Sequence, residues 1–220
     1  MKMFTKKYSS PILNDGCGKF EINNWIISNF VIRELISIVG IKPYPLNELM
    51  LMTAAVCTLK PTHIFEWGTY IGKSARIFYE ITQHFSIPCE IHSTDRFNHK
   101  LRRSFVKNIH EIKLHRGDGL DISLALYKNI KDLQTKICPL FFLDGDHKFS
   151  SVKRELKGIM KSVPKAWILT HDTFFQSRES GYNTGPYRAI QTALKDRPHK
   201  YKVLSTATGL PGMTLLYFRP

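Results

Sequence analysis

Residues Thr62 to Ser74 read T-H-I-F-E-W-G-T-Y-I-G-K-S, and this stretch decides the fold. Thr62 to Phe65 is a short run of β-branched and aromatic residues, Lys60-Pro61 punctuates its start, and Gly68 marks a sharp turn. A helical pattern begins at about Gly72. A strand, a glycine turn and a helix N-terminus together aim backbone N–H groups and the helix dipole at a ligand, so a nucleotide-like ligand is the first expectation.

Spacing separates the ligand classes that use such a turn. A phosphate-binding P-loop requires G-x-x-x-x-G-K-[ST]; Gly72-Lys73-Ser74 fits its end, but Trp67 stands where the first glycine belongs. The dinucleotide pattern G-x-G-x-x-G is not supplied by Gly68, Tyr70 and Gly72. Glu66 would repel a pyrophosphate and would suit a cationic ligand. The pattern E-x-G-T-x-x-G-x-S resembles the first motif of class I S-adenosylmethionine-dependent methyltransferases, whose cofactor carries an ammonium and a sulfonium. The resemblance places that cofactor against Glu66, Gly68, Thr69, Tyr70, Gly72 and Ser74.

The chain has 220 residues, 43% of them hydrophobic, which suits one globular domain with a small extension. No run of about twenty apolar residues occurs, so no membrane span is expected. The N-terminal M-K-M-F-T-K-K-Y-S-S lacks the apolar region of a signal peptide, and a cytoplasmic protein is expected. Cys17, Cys57, Cys89 and Cys138 are scattered and read as buried thiols. The net charge of +14, from 32 Lys and Arg against 18 acids, implies attraction to anions. It is spread over patterns such as Lys153, Arg154, Lys157 and Lys161, with no nucleic-acid motif, which favours a small acidic acceptor over nucleic acid.

Residues 1 to 45 are expected to form a polar arm followed by a helix from Asn23 that is apolar nearly all round, acting as a lid or a contact in a homo-oligomer. Residues 46 to 220 are expected to form the cofactor domain. Asn47 is placed to cap a helix leading into the first strand. After the glycine turn, strand and helix patterns alternate: Cys89 to Thr94, a basic helix over about Asn98 to His110, Lys113 to Arg116, Asp121 to Lys131, L-F-F-L after Pro139, Ser150 to Lys161, A-W-I-L-T, and Tyr187 to Lys195. A final strand pair, Lys202 to Ser205 and Met213 to Phe218, closes the chain. The expected fold is α/β: a doubly wound, mostly parallel seven-stranded sheet with one antiparallel edge strand, Rossmann-like, with an N-terminal helical extension.

In such sheets ligands sit beyond the carboxyl ends of the strands, and there fall Glu66, Asp95, Asp118, Asp144 and Asp172. Asp95 is placed either to bind ribose hydroxyls or to cap a helix, and Asp118 reads equally as a turn residue or an adenine contact. L-D-G-D-H over residues 143 to 147, with H-D-T-F from His171, is similar to a branch of small-molecule O-methyltransferases that includes macrolide-sugar enzymes and cephalosporin hydroxylase-like proteins. Catechol and caffeoyl-CoA O-methyltransferases are more distant relatives. The resemblance implies a divalent cation, Mg²⁺ or Mn²⁺, on Asp144, His171 and Asp172. It departs at His171, where an oxygen ligand is usual: either the ion is softer, as imidazole favours, or His171 lies beside the site and no metal binds. With Asp144, His147 is the candidate catalytic group: methyl transfer needs an oxygen nucleophile relieved of its proton. His147 reads equally as a helix-start histidine, and Asp146 as a cap or an orienting partner. The acceptor implied is a hydroxyl on a sugar, aromatic ring or natural-product scaffold. A P-loop-like transferase and a binding protein without chemistry are the rival readings.

Overall fold

The computed structural model describes residues 11, 20, 22–96, 104–133, 136–196, 201–206 and 208–218. Most of the polar arm and the first half of the basic segment lie outside them. The elements run α1 (Asn24–Phe30), a π-helical stretch (Val31–Leu35), α2 (Ile36–Val39), α3 (Leu46–Leu59), β1 (His63–Trp67), α4 (Lys73–His84), β2 (Glu90–Asp95), β3 (Ile112–Arg116) and α5 (Gly119–Leu133). They continue with β4 (Pro139–Leu143), α6 (Phe149–Ser162), β5 (Trp167–His171), a 3-10 turn (Arg178–Ser180), α7 (Gly185–Lys195), β6 (Lys202–Ser205) and β7 (Met213–Tyr217).

The strands form one seven-stranded sheet in the order β3-β2-β1-β4-β5-β7-β6. The first five are mutually parallel, and β7 runs antiparallel to both β5 and β6. Strand order reverses between β1 and β4, which opens a crevice at their carboxyl ends. Successive side chains point to opposite faces, and both faces are covered. Ile64, Ile91, Phe142 and Leu215 pack with α1, α3 and α4 in one core, while Phe65, Phe141, Ile168 and Leu216 pack with α6 and α7 in the other. This is why β1 and β5 are buried at every position.

The N-terminal helical run is capped by Asn23, whose side chain accepts from Trp25 N, and ends at Gly40 with φ +67°. Ile27, Val31 and Leu35 are fully buried in the first core, whereas Trp25 and Ile32 stay exposed. Two local expectations are corrected. Asn47 lies inside the first turn of α3, where Pro45 is the N-cap, and it bonds Thr208 across the fold. Residues 104–108 form turns rather than a helix, because Gly72 is packed against Val106 and Arg76 binds the carbonyl of Phe105, which holds the segment irregularly over α4.

The carboxyl ends of the central strands are tied by backbone bonds, with Gly68 N donating to Thr94 O and Asp144 N to Trp67 O. A Cβ on Gly68, whose φ is +99°, would lie 2.2 Å from the carbonyl oxygen of Asp144. Gly68→Ala is therefore expected to destabilise the chain by roughly 1–3 kcal/mol through backbone displacement and strain. Urea unfolding should show the midpoint fall with little change in slope.

Candidate functional site

A cleft of about 650 Å³ opens at the crevice, with Trp67, Gly68, Tyr70, Asp95, Asp144 and His147 among its lining residues. The size suits a nucleotide-like ligand. Asp95 ends β2, and its Oδ2 accepts from Tyr70 N at 2.8 Å, so the strand-end acid pins the glycine turn. Trp67 donates its indole N–H to Ser123 Oγ at 2.7 Å, which fixes the ring as a wall of the cleft. Glu155 of α6 also reaches the cleft, and burial pushes its carboxyl up to about 8.

Other predicted residues act from behind the wall. Glu66 is fully buried, with its carboxylate accepting from Ser74 Oγ and its Oε2 without a hydrogen-bond partner among the described residues. Burial pushes Glu66 up to about 8 against the bonds that favour its charge. Thr69 is bonded to Ser93 at 2.7 Å, and Gly72, at φ +82°, opens α4. Thus Glu66, Thr69, Gly72 and Ser74 hold the turn, while Gly68 and Tyr70 face the cleft. Asp118 is occupied by protein partners: it accepts from Leu120 N at the start of α5 and pairs with Arg96 and Arg154 at 2.8 and 2.6 Å. Burial opposes that charge, yet the two arginines hold the carboxyl down at about 2.

The second constellation forms at the ends of β4 and β5. His171, the last residue of β5, places Nδ1 2.9 Å from Asp144 Oδ1 and Nε2 3.0 Å from Glu48 Oε2. Glu48 is wholly buried in the first turn of α3, and its other oxygen accepts from Gly212 N at 2.8 Å. Tyr44 donates to Asp144 Oδ2 at 2.5 Å. His147 bridges the two acids, with Nε2 3.4 Å from Asp144 and Nδ1 in contact with Asp172. Asp172 has φ +55° and also accepts from the Tyr182 hydroxyl. Asn183 donates to the carbonyl of His147 at 2.7 Å, so the loop carrying Tyr182 also fixes the histidine. Asp146 accepts from Lys148 N, the N-cap residue of α6, and from Ser151 Oγ in its first turn, so its carboxylate is engaged there rather than at the His147 ring.

The charges answer one another. Burial disfavours the ionised forms, but the charge of His171 and bonds from His147, His171 and Tyr44 hold Asp144 well below the usual carboxylate range. The same acids overcome burial at the imidazoles and raise both His147 and His171 to about 10. Glu48 and Tyr44 were not anticipated from sequence. Glu48 was legible as a lone acid inside the apolar run L-N-E-L-M-L-M, whereas nothing in P-Y-P marks Tyr44.

Stability should follow these charges in the metal-free protein. The imidazolium contribution is complete below their ordinary value of 6.5 and is lost as pH rises to about 10. The Asp144 contribution is present above its ordinary value of 3.8 and fades as pH falls below it. Urea midpoints should therefore peak between these limits, and His171→Gln should flatten the alkaline limb.

Residues 36–209 match the family model described as Rhamnosyl O-methyltransferase/CmcI. A curated rhamnosyl O-methyltransferase of Mycobacterium bovis (strain BCG / Pasteur 1173P2) is 25% identical over 150 residues, covering 66% of this chain. The chain spans 60% of that relative's length. Among solved structures, the O-methyltransferase from Bacillus cereus in complex with S-adenosylhomocysteine aligns with a TM-score of 0.60 at 14% identity, over 88% of this chain and 90% of that one. The S-adenosylhomocysteine-bound Podospora anserina methyltransferase PaMTH1 aligns at 0.53 and 20% identity, over 78% of each. These structures share the doubly wound fold, and the match over most of the chain assigns the sequence: this chain belongs to the rhamnosyl O-methyltransferase/CmcI family.

Proposed function

We propose that the chain transfers the methyl group of S-adenosylmethionine to a hydroxyl of a small molecule, with a divalent cation assisting at Asp144, His171 and Asp172. The observation that carries this reading is the convergence of Asp144, His147, His171 and Asp172 beside a cleft built on the glycine turn. Family membership supports the activity, and the name of the curated relatives supports a sugar hydroxyl as the acceptor. The net charge of +14 favours an acceptor that carries negative charge.

Cofactor binding falls to Gly68, Tyr70 and Asp95 at the surface of the cleft, with Glu66, Thr69, Gly72 and Ser74 holding the turn beneath. Asp118, engaged by Arg96 and Arg154, acts at the adenine end through the loop it fixes. Tyr70 is 55% exposed at the lip, where it can cover a bound nucleoside.

The donor set fits a divalent ion, since ligand atoms of Asp144, His171 and Asp172 lie within 4.8 Å of one another. Glu48 can hold the Nε2 proton of His171, which leaves Nδ1 to face the two aspartates. An imidazole in the set favours Mn²⁺ over Mg²⁺. A cation there would orient the acceptor hydroxyl and lower its pKa. His147 is the candidate base. While paired with both acids it stays protonated, so it takes the hydroxyl proton only when those acids are engaged elsewhere. A second, metal-free reading has support in the same cluster: His171 is bonded through both nitrogens and His147 bridges both acids, so the carboxylates are already compensated. The exposed Trp25 and Ile32 of the N-terminal helical run favour a contact with a second copy over a lid.

Asp95→Ala is expected to weaken S-adenosylhomocysteine binding at least tenfold, about 1.4 kcal/mol, by titration calorimetry on the folded variant. Unchanged affinity would remove Asp95 from the cofactor site. Chelation should abolish methyl transfer to a rhamnosyl glycoside, and Mn²⁺ should restore it better than Mg²⁺. Full activity in excess chelator, with no metal by elemental analysis, would leave the metal-free reading in place.

A further inference from the structure

At the opposite rim of the sheet, where the parallel strands begin, we infer a second metal site in which His63, Glu90 and His92 bind a borderline transition-metal ion such as Zn²⁺. Donor atoms of the three residues lie within 4.8 Å of one another. His63 opens β1 and Glu90 opens β2, and the two are direct cross-strand partners. His92 lies two residues beyond Glu90 and so on the same face of the sheet. The methyl-transfer cleft lies at the other ends of these strands, about 13 Å further along the four-residue step from His63 to Trp67.

The site is built on its buried side. His92 is 3% exposed, and its Nε2 has no hydrogen-bond partner among the described residues. A buried ring nitrogen without a partner calls for a reason, and it points toward Glu90 Oε2, 3.5 Å away. The other nitrogen of His92 lies 3.1 Å from His115 Nε2. An ion on Nε2 requires the ring proton on Nδ1, and His115 is placed to accept that proton, so the outer partner that fixes the tautomer is present. His63 is likewise oriented by its neighbour: Nδ1 lies 2.9 Å from Thr62 Oγ1, which leaves Nε2 as its donor. The two rings stack with centroids 5.9 Å apart. Two imidazoles and one carboxylate select against Mg²⁺ and Ca²⁺ and for zinc-like ions, with the fourth position open to water.

Access runs through Glu90, whose side chain is 48% exposed. In the metal-free chain its Oε2 holds the ammonium of Lys113 at 2.6 Å. Lys113 is therefore the competitor that an entering ion displaces. The ion would join β1 to β2 at the rim where Glu90 and Lys113 face solvent, and so stabilise the sheet rather than take part in methyl transfer.

The test is Zn²⁺ titration of the full chain in excess Mg²⁺, with melting temperature followed in parallel and Co²⁺ absorption reporting nitrogen coordination. Glu90→Gln alters a half-exposed side chain and should fold; it is expected to weaken Zn²⁺ binding by at least about tenfold. His92→Gln should do the same, and Lys113→Met, which removes the competitor, should tighten binding. The wild-type melting temperature should rise with Zn²⁺ and that of Glu90→Gln should rise less. A Zn²⁺ isotherm unaltered by Glu90→Gln and Lys113→Met would place all binding elsewhere and overturn the inference. So would the absence of Zn²⁺ uptake by the wild-type chain.

Discussion

Glu48, fully buried in the first turn of α3, must be neutralised by something, and what neutralises it organises the whole acidic end of the sheet. A carboxylate taken out of water costs several kcal/mol unless it is paired and hydrogen-bonded. Glu48 meets that demand with His171 at one oxygen and Gly212 N at the other. The same ring shares its charge with Asp144 through its other nitrogen, and Asp144 in turn engages Tyr44 and His147. A helix, two parallel strands, the segment before β7 and the loop before α7 are thus joined through one chain of charges. Each member depends on the next, because removing one leaves a buried charge uncompensated, a loss of about 3–5 kcal/mol for a buried pair.

That dependence makes the charge state of the cluster responsive to what reaches it. A buried alternation of acid and base is adjustable: a charge arriving at Asp172, whose side chain is partly exposed, changes the field that His147 experiences. Asp172 sits in a left-handed backbone conformation uncommon for a non-glycine residue, at the end of a buried strand. Strain of this kind persists where surrounding contacts overdetermine it, and here these are Tyr182, His147 and the bond from Thr173 N to Gly212 O.

Much of the fold is legible in the sequence because strand ends are marked by their chemistry. Glu66, Asp144 and Asp172 each follow an apolar run and Asp95 closes a β-branched strand pattern, and in a parallel sheet that placement fixes which edge they share. What could not be read is depth. Ser74 and Glu66 sit within the quoted motif, yet they face each other beneath the turn, because the face of a buried strand is set by packing on both sides. Partners distant in sequence were also hidden: Glu48 reaches His171 across 123 positions, and only the fold brings them together. Asp118 shows the converse. Its strand-end position was clear, but Arg154, from a helix 36 residues away, claims its charge.

The placement of the three tryptophans has an optical consequence. Trp25 is 86% exposed, Trp167 is packed against Phe20 and Tyr217, and Trp67 alone of the three lines the cleft. Its ring is fixed by Ser123 and covered by Gly119, where a Cβ would strike it at 2.4 Å. The indole therefore cannot turn away from whatever occupies the cleft. Its ultraviolet emission is an internal gauge of occupancy, built into the wall and needing no attached dye.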